Sequence, residues 1–129
     1  PVTSTLPQGR GFLSATSRSS YGYFDGGYAP PIVNTIDRID FSNETTSPVT
    51  ATLPEARSYL AAVSSNSYGY FGGGYGGGDR VNTIDRIDFS TETTSAATNN
   101  LSEVNLVAPY KLIGAAALSV LSAITFLTP

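Results

Sequence analysis

VNTIDRIDFS occupies residues 33–42 and recurs unchanged at residues 81–90, an offset of 48. Ten identical residues do not recur by chance, so the chain carries an internal repeat, in which each copy is one supersecondary unit stacked on its neighbour. Within the segment, Ile36, Arg38 and Asp40 alternate with Asp37, Ile39 and Phe41. A period of two belongs to a strand, because successive side chains of an extended backbone point to opposite faces. Strands are therefore expected at residues 35–41 and 83–89. Identical segments should find identical surroundings, so Ile39 and Phe41 are expected to be buried as Ile87 and Phe89 are. Further upstream, YGYF at residues 21–24 recurs at 68–71, and Leu6-Pro7 recurs as Leu53-Pro54, both at an offset of 47. The one-residue difference falls where DGGYAPPI in the first copy faces GGGYGGGDR in the second. Gly- and Pro-rich loops tolerate such a change in length.

In the second copy, the stretch RSYLAAVSSNSYGYFGGG divides into a small-residue strand at residues 59–64, a polar turn at 65–67 and an aromatic strand at 68–71. Asn66 and the serines suit the turn because their side chains bond nearby backbone. Each copy thus reads as a β-meander of about three strands, with a fourth available in TTSPVTATLP at residues 45–54. Short strands at roughly ten-residue spacing, separated by turn signals, mean an all-β fold.

Composition agrees. The 129 residues include 16 Ser, 15 Thr, 13 Gly and 14 aromatic residues, all Tyr or Phe, which favours strands and turns over helices. Cys, His, Met and Trp are absent, and the formal charge is −3. Without Cys and His, disulfides, structural zinc, thiol nucleophiles and Ser-His-Asp triads are excluded within this chain. Seven Lys and Arg spread without a run give no phosphate-tracking surface, so a nucleic-acid partner is not expected.

At this point the residues carry a resemblance. LPEARSYLAAVSSNSYGYFGGG at residues 53–74, followed by VNTIDRIDFSTETTS at 81–95, resembles a kelch repeat. In that family an Arg-containing segment leads into a hydrophobic strand, then an aromatic strand ending in a Gly pair, then a strand closing in an acidic turn. The pair maps to Gly26-Gly27 and Gly72-Gly73, and the turns to residues 40–44 and 88–92. The kelch Trp after the turn is missing, with Thr45-Thr46 and Thr93-Thr94 in its place. The variant is also similar to tandem arrays in phage tail-fibre and other structural proteins. The resemblance implies kelch-like four-stranded meander repeats at residues 1–47 and 48–95, a degenerate repeat or linker at 96–110, and a location in a virion or on an extracellular surface. Propellers close with roughly four to eight blades, so two blades imply an incomplete propeller or an open array. Residues 1–7 align with 48–54, so the chain starts in mid-repeat; a longer array, or completion by oligomerisation, is expected.

Residues 112–127 (LIGAAALSVLSAITFL) hold sixteen uncharged residues behind Lys111 and form a helix by propensity, giving an apolar C-terminal helix at 111–129. Its length of about 24 Å falls short of the roughly 30 Å hydrocarbon core. An oligomer-core helix presenting Leu112, Leu118, Leu121, Ile124, Phe126 and Leu127 is the first reading, ahead of a membrane anchor, a removable anchoring signal and an ordinary core element. Homo-oligomers or other virion or fibre proteins are the expected partners, with a membrane as the alternative through this tail.

Tyr21, Tyr23, Tyr28, Tyr68, Tyr70 and Tyr75 are the candidate ligand-contacting aromatics, since their faces suit sugar rings such as those of cell-surface carbohydrate. Asp37 and Asp40, like Asp85 and Asp88, lie three apart on a strand and point to opposite faces, which argues against a shared catalytic pair. Pairing with Arg38 and Arg86, or capping of the turns, is expected of them instead. The glycine run at residues 72–78 lacks the Lys-Ser/Thr of a phosphate cradle and reads as a loop. No EF-hand spacing appears, and Asn43-Glu44-Thr45 and Asn100-Leu101-Ser102 read as coincidental glycosylation matches. The expectation is a structural and interaction protein with no enzymatic activity, no cofactor and no metal. A membrane-anchored, carbohydrate-binding adhesin is the alternative.

Overall fold

The computed structural model describes residues 2–102, which form strands, turns and loops with no helix among them. Four strands of the first repeat, β1 (Ser14–Ser17), β2 (Tyr21–Asp25), β3 (Thr35–Asp40) and β4 (Thr45–Thr52), form an antiparallel meander in sequence order. In the second repeat, β5 (Ala61–Ser64) and β6 (Tyr68–Gly72) are followed by β7 (Tyr75–Gly76) and β8 (Asp79–Arg80), which form a small hairpin of their own. β9 (Ile84–Asp88) and β10 (Thr93–Ala96) then complete a second sheet in the order β5-β6-β9-β10. The fold is all-β. The fourth strand forms in both copies, and β4 runs across the expected division between residues 47 and 48. The apolar C-terminal helix expected at residues 111–129 lies outside the described residues.

The two sheets share one register. Tyr21 pairs with Asp40 and Tyr23 with Arg38, as Tyr68 pairs with Asp88 and Tyr70 with Arg86. The turns that follow are copies as well. Asp40 Oδ1 accepts the backbone N–H of Ser42 at 2.8 Å and its hydroxyl at 2.6 Å, and Asp88 holds Ser90 in the same way at 2.7 and 2.6 Å. These bonds hold both exposed carboxyls below the usual carboxylate range, led by the serine hydroxyl. Asp40 and Asp88 therefore cap their turns. Glu44 and Glu92 end those turns in the left-handed region, at φ 58° and 53°.

Asp37 and Asp85 do not pair with Arg38 and Arg86. Adjacent residues of a strand point to opposite faces, so each Asp instead meets an arginine from the loop before the first strand of its sheet. Arg10 reaches Asp37 at 2.7 Å, and Arg57 pairs with Asp85. The glycine pair also shifts by one residue in the second copy: the left-handed pair Gly26-Gly27 matches Gly73-Gly74, not Gly72-Gly73. A Cβ on Gly27 (φ 105°) would lie 2.7 Å from the Gly11 carbonyl oxygen, and one on Gly74 (φ 96°) would lie 2.6 Å from that of Ser58. Only glycine fits where these loops run so close to the chain before β1 and β5.

The sheets pack against each other around Tyr23, Ile36, Leu53, Leu60, Phe71, Ile87 and Phe89. β1 lies against β5 and β6 at one end of this seam, and β4 meets β10 at the other. The expected equivalence of Ile39 and Phe41 with Ile87 and Phe89 fails here. Phe89 is 4% exposed and Ile87 fully buried, whereas Phe41 is 48% exposed and Ile39 only half-buried. The cause is that a sheet has two faces. The second sheet turns its Asp85–Ile87–Phe89 face toward the first, while the matching face of the first sheet points away from the seam. Full burial of an aromatic side chain contributes roughly 1.5–3 kcal/mol, which Phe89 gains and Phe41 gains only in part.

Candidate interaction surface

The seam shows what one repeat does to the next. The Tyr23 ring stacks on Phe89 with centroids 5.3 Å apart, and its hydroxyl donates to Glu92 Oε1 at 3.1 Å. Arg38 Nη1 donates to the same oxygen at 2.6 Å, and Arg18 Nη1 donates to the Phe89 carbonyl at 2.8 Å. Burial, then the bond to Glu92, pushes the Tyr23 phenol up to about 12. At the inner end, Thr16 Oγ1 donates to the Val63 carbonyl at 3.3 Å and the Gly27 N–H to the Arg57 carbonyl at 2.8 Å. Phe12 and Tyr59 stack at 4.2 Å beside the bond from the Tyr59 N–H to the Phe12 carbonyl. Two aromatic stacks and a carboxylate shared by a phenol and a guanidinium fix both the position and the rotation of one sheet on the other.

Each sheet also buries a charged pair on its corresponding face, Arg57–Asp85 in the seam and Arg10–Asp37 on the face of the first sheet that points away from it. The Arg10 side chain is fully buried and also bonds Thr35 Oγ1 at 2.9 Å and the Phe24 carbonyl at 3.2 Å. Arg57, equally buried, bonds the carbonyls of Gly73 and Thr83, both at 3.0 Å, and Thr83 Oγ1 at 2.9 Å. Each arginine thus ties the loop before its sheet to the third strand of the meander. A buried pair of this kind adds little net stability but is costly to break. Asp25 is fully buried and neither of its carboxyl oxygens has a hydrogen-bond partner. Burial raises its pKa well above the usual range, outweighing the nearby Arg57 and Arg10. Its counterpart in the second repeat is Gly72. Burial raises Asp85 too, against the opposing pull of Arg57.

The six candidate tyrosines do not form one site. Tyr23 is sealed inside the seam, and Tyr21 is half-buried with the Arg38 guanidinium 4.7 Å above its ring. Tyr28 and Tyr75 sit on equivalent loops and are 48% and 42% exposed, with the Tyr75 hydroxyl donating to the Gly78 carbonyl at 2.8 Å. Tyr68 and Tyr70 lie together, centroids 6.1 Å apart, half-buried on the face of the second sheet that points away from the seam. Leu112, Leu118, Leu121, Ile124, Phe126 and Leu127 of the tail lie outside the described residues. Among the described residues, no three Asp or Glu side chains gather in a way that could hold a metal ion.

Sequence reasoning did not single out Arg10 and Arg57, which hold the buried Asp37 and Asp85, or Glu92, which joins the sheets. A signal was present, since Leu-Pro is followed three residues later by Arg in both copies, at Arg10 and Arg57. No family model matches this sequence, and no curated protein matches it.

Proposed function

We propose that the chain is a structural and interaction protein: a kelch-like repeat segment of a virion appendage, such as a tail fibre, or of another extracellular fibre, which self-assembles through its C-terminal tail. The single observation behind this reading is that two equivalent four-stranded meanders meet in a dedicated seam, with Phe89 and Glu92 of one seated on Tyr23 and Arg38 of the other. Such a seam is what a stacked array needs at every joint. The position of β1 beside β5 supports blades that converge at their first strands, as in an incomplete propeller or open array. Kelch and virion identity rest on the resemblance of residues 2–95. The second reading, a membrane-anchored adhesin that binds cell-surface carbohydrate, draws on the exposed rings of Tyr28 and Tyr75.

The test removes residues 112–127 and compares the product with the full chain by sedimentation in detergent-free buffer and by flotation with lipid vesicles. The far-ultraviolet spectrum of the meanders should survive while association is lost. Loss of vesicle binding instead would favour the anchored adhesin. An unchanged assembly that never floated with vesicles would defeat both readings. The same purified chain is expected to turn over no ester, glycoside, phosphate or peptide substrate.

A further inference from the structure

The two sheets present outward faces that are copies of the two faces joined in the seam. A Cβ on Gly69 would meet Ile87, Phe89 and, at 2.6 Å, the Thr16 methyl of the first sheet. A Cβ on Gly22, its counterpart, would meet Ile39 and Phe41 of its own sheet. The face that docks in the second sheet points away from the seam in the first. There Arg10 covers Asp37, and Thr46 Oγ1 donates to the Thr5 carbonyl at 2.6 Å as Thr94 Oγ1 donates to that of Thr52 in the seam. The part left exposed carries Phe41 where the seam has Phe89 and Glu44 where the seam has Glu92. Glu44 is held as Glu92 is: its backbone N–H donates to the Asp40 carbonyl at 2.7 Å, against 2.8 Å for Glu92 and Asp88, in the same left-handed conformation. On the far side of the molecule, Tyr68, Tyr70 and Arg86 stand where the seam has Tyr21, Tyr23 and Arg38. Arg86 lies 4.7 Å above the Tyr68 ring, as Arg38 lies 4.7 Å above Tyr21. Arg86 donates to Ser95 Oγ at 3.1 Å and, among the described residues, meets no carboxylate.

We propose that these two outward faces bind each other between copies of this chain, head to tail, with Phe41 and Glu44 of one copy seated on Tyr70 and Arg86 of the next. The proposal rests on the reading of the chain as a self-assembling repeat protein and gives that assembly an interface in the sheets, separate from the tail. Its occupant is a second copy because the charges and aromatic positions at the exposed turn are those of the joined pair. Glu44 supplies the acid that, among the described residues, Tyr70 and Arg86 lack, and an exposed Phe41 supplies the stacked ring that Phe89 gives Tyr23. The outer contact is also weaker than the inner one. Arg18, which bonds the Phe89 carbonyl, is replaced by Ser65, and Thr16, which bonds the Val63 carbonyl, by Val63 itself. Such an interface is heterologous, so repeated use closes a ring or extends a helical fibre.

Sedimentation of the full chain over a range of concentrations, with Glu44→Arg, Arg86→Glu and the double variant, tests this. Glu44 is exposed and Arg86 half-buried over Tyr68, and circular dichroism checks that each variant keeps its strands. The wild type should grow in mass with concentration, and each single variant should associate about tenfold more weakly or worse. The double variant, with the charges exchanged, should recover the growth. Single variants that associate like the wild type would overturn the proposal and leave tail-driven assembly standing. Weakened single variants with no recovery in the double would also overturn it, since Glu44 and Arg86 would then not meet. A wild type that stays a single chain at every concentration would defeat the proposal together with the self-assembly reading.

Discussion

Asp25 is the residue whose surroundings are least balanced. Two buried guanidinium groups, Arg10 and Arg57, already have Asp37 and Asp85 as partners, and Asp25 adds a third carboxyl with no hydrogen bond. A carboxyl whose pKa is raised on folding leaves the native state holding more protons than the unfolded chain between the ordinary carboxylate value and the raised one. Stability is then fully present below the ordinary value and is lost as pH rises through the raised one. Asp25 and Asp85 both act in this direction, whereas Asp40 and Asp88, lowered by their serines, withdraw stability only as pH falls below the ordinary carboxylate value. The melting temperature is therefore expected to rise as pH is lowered from 7 toward about 4, and to fall again below that. Asp25→Asn keeps the volume and removes the charge. It should stabilise the protein at pH 7 by about 1–3 kcal/mol and flatten the acidic rise to the part that belongs to Asp85. An unaltered pH profile would contradict this account. The turn caps at this scale were legible in the sequence because Asp40 and Ser42 are neighbours along the chain. The Arg10–Asp37 pair was not, because its members are brought together only when the loop folds across the meander.

At the scale of elements, the meanders could be read closely. Alternation placed β3 and β9, and turn residues separated β5 from β6, because both signals are local. The segment between β6 and β9 was less legible: its glycine run read as a plain loop, yet Tyr75–Gly76 pairs with Asp79–Arg80 just beyond the run as a hairpin. Glycine supplies the turn there without a side-chain pattern to announce it. The loop that binds each sheet to its leading segment rests on Gly27 and Gly74. Gly27→Ala would force a side chain into the left-handed region and against the Gly11 carbonyl. A loss of about 2–3 kcal/mol is expected, measured by denaturant unfolding. Gly9→Ala, where no atom lies within 4 Å, is the matched control and should change stability by less than about 0.5 kcal/mol. Equal losses in the two variants would refute the steric explanation.

For the whole molecule, the sequence revealed two copies but not the direction in which they face. Identical strands suggested identical burial. The seam broke that symmetry because, among the described residues, the two meanders meet at one joint, which encloses Phe89 and leaves Phe41 open. The identity of β3 and β9 also bears on how the chain finds its fold. The residues that must choose between β2 and β6 as partners are the same, TIDRID at 35–40 and 83–88, and nothing within either strand distinguishes the right neighbour from the wrong one. Only the connecting lengths discriminate, and between two molecules even those lose their force. Refolding from denaturant should therefore give native monomer in dilute solution, and at high concentration exchanged dimers in which β3 of one molecule occupies the β9 position of another. Gel filtration of material refolded at rising concentration would reveal them. Three or four substitutions that make the strands unlike each other while keeping their alternation should abolish the exchanged species. A repeat that makes assembly simple in the folded state thus makes pairing ambiguous on the way there.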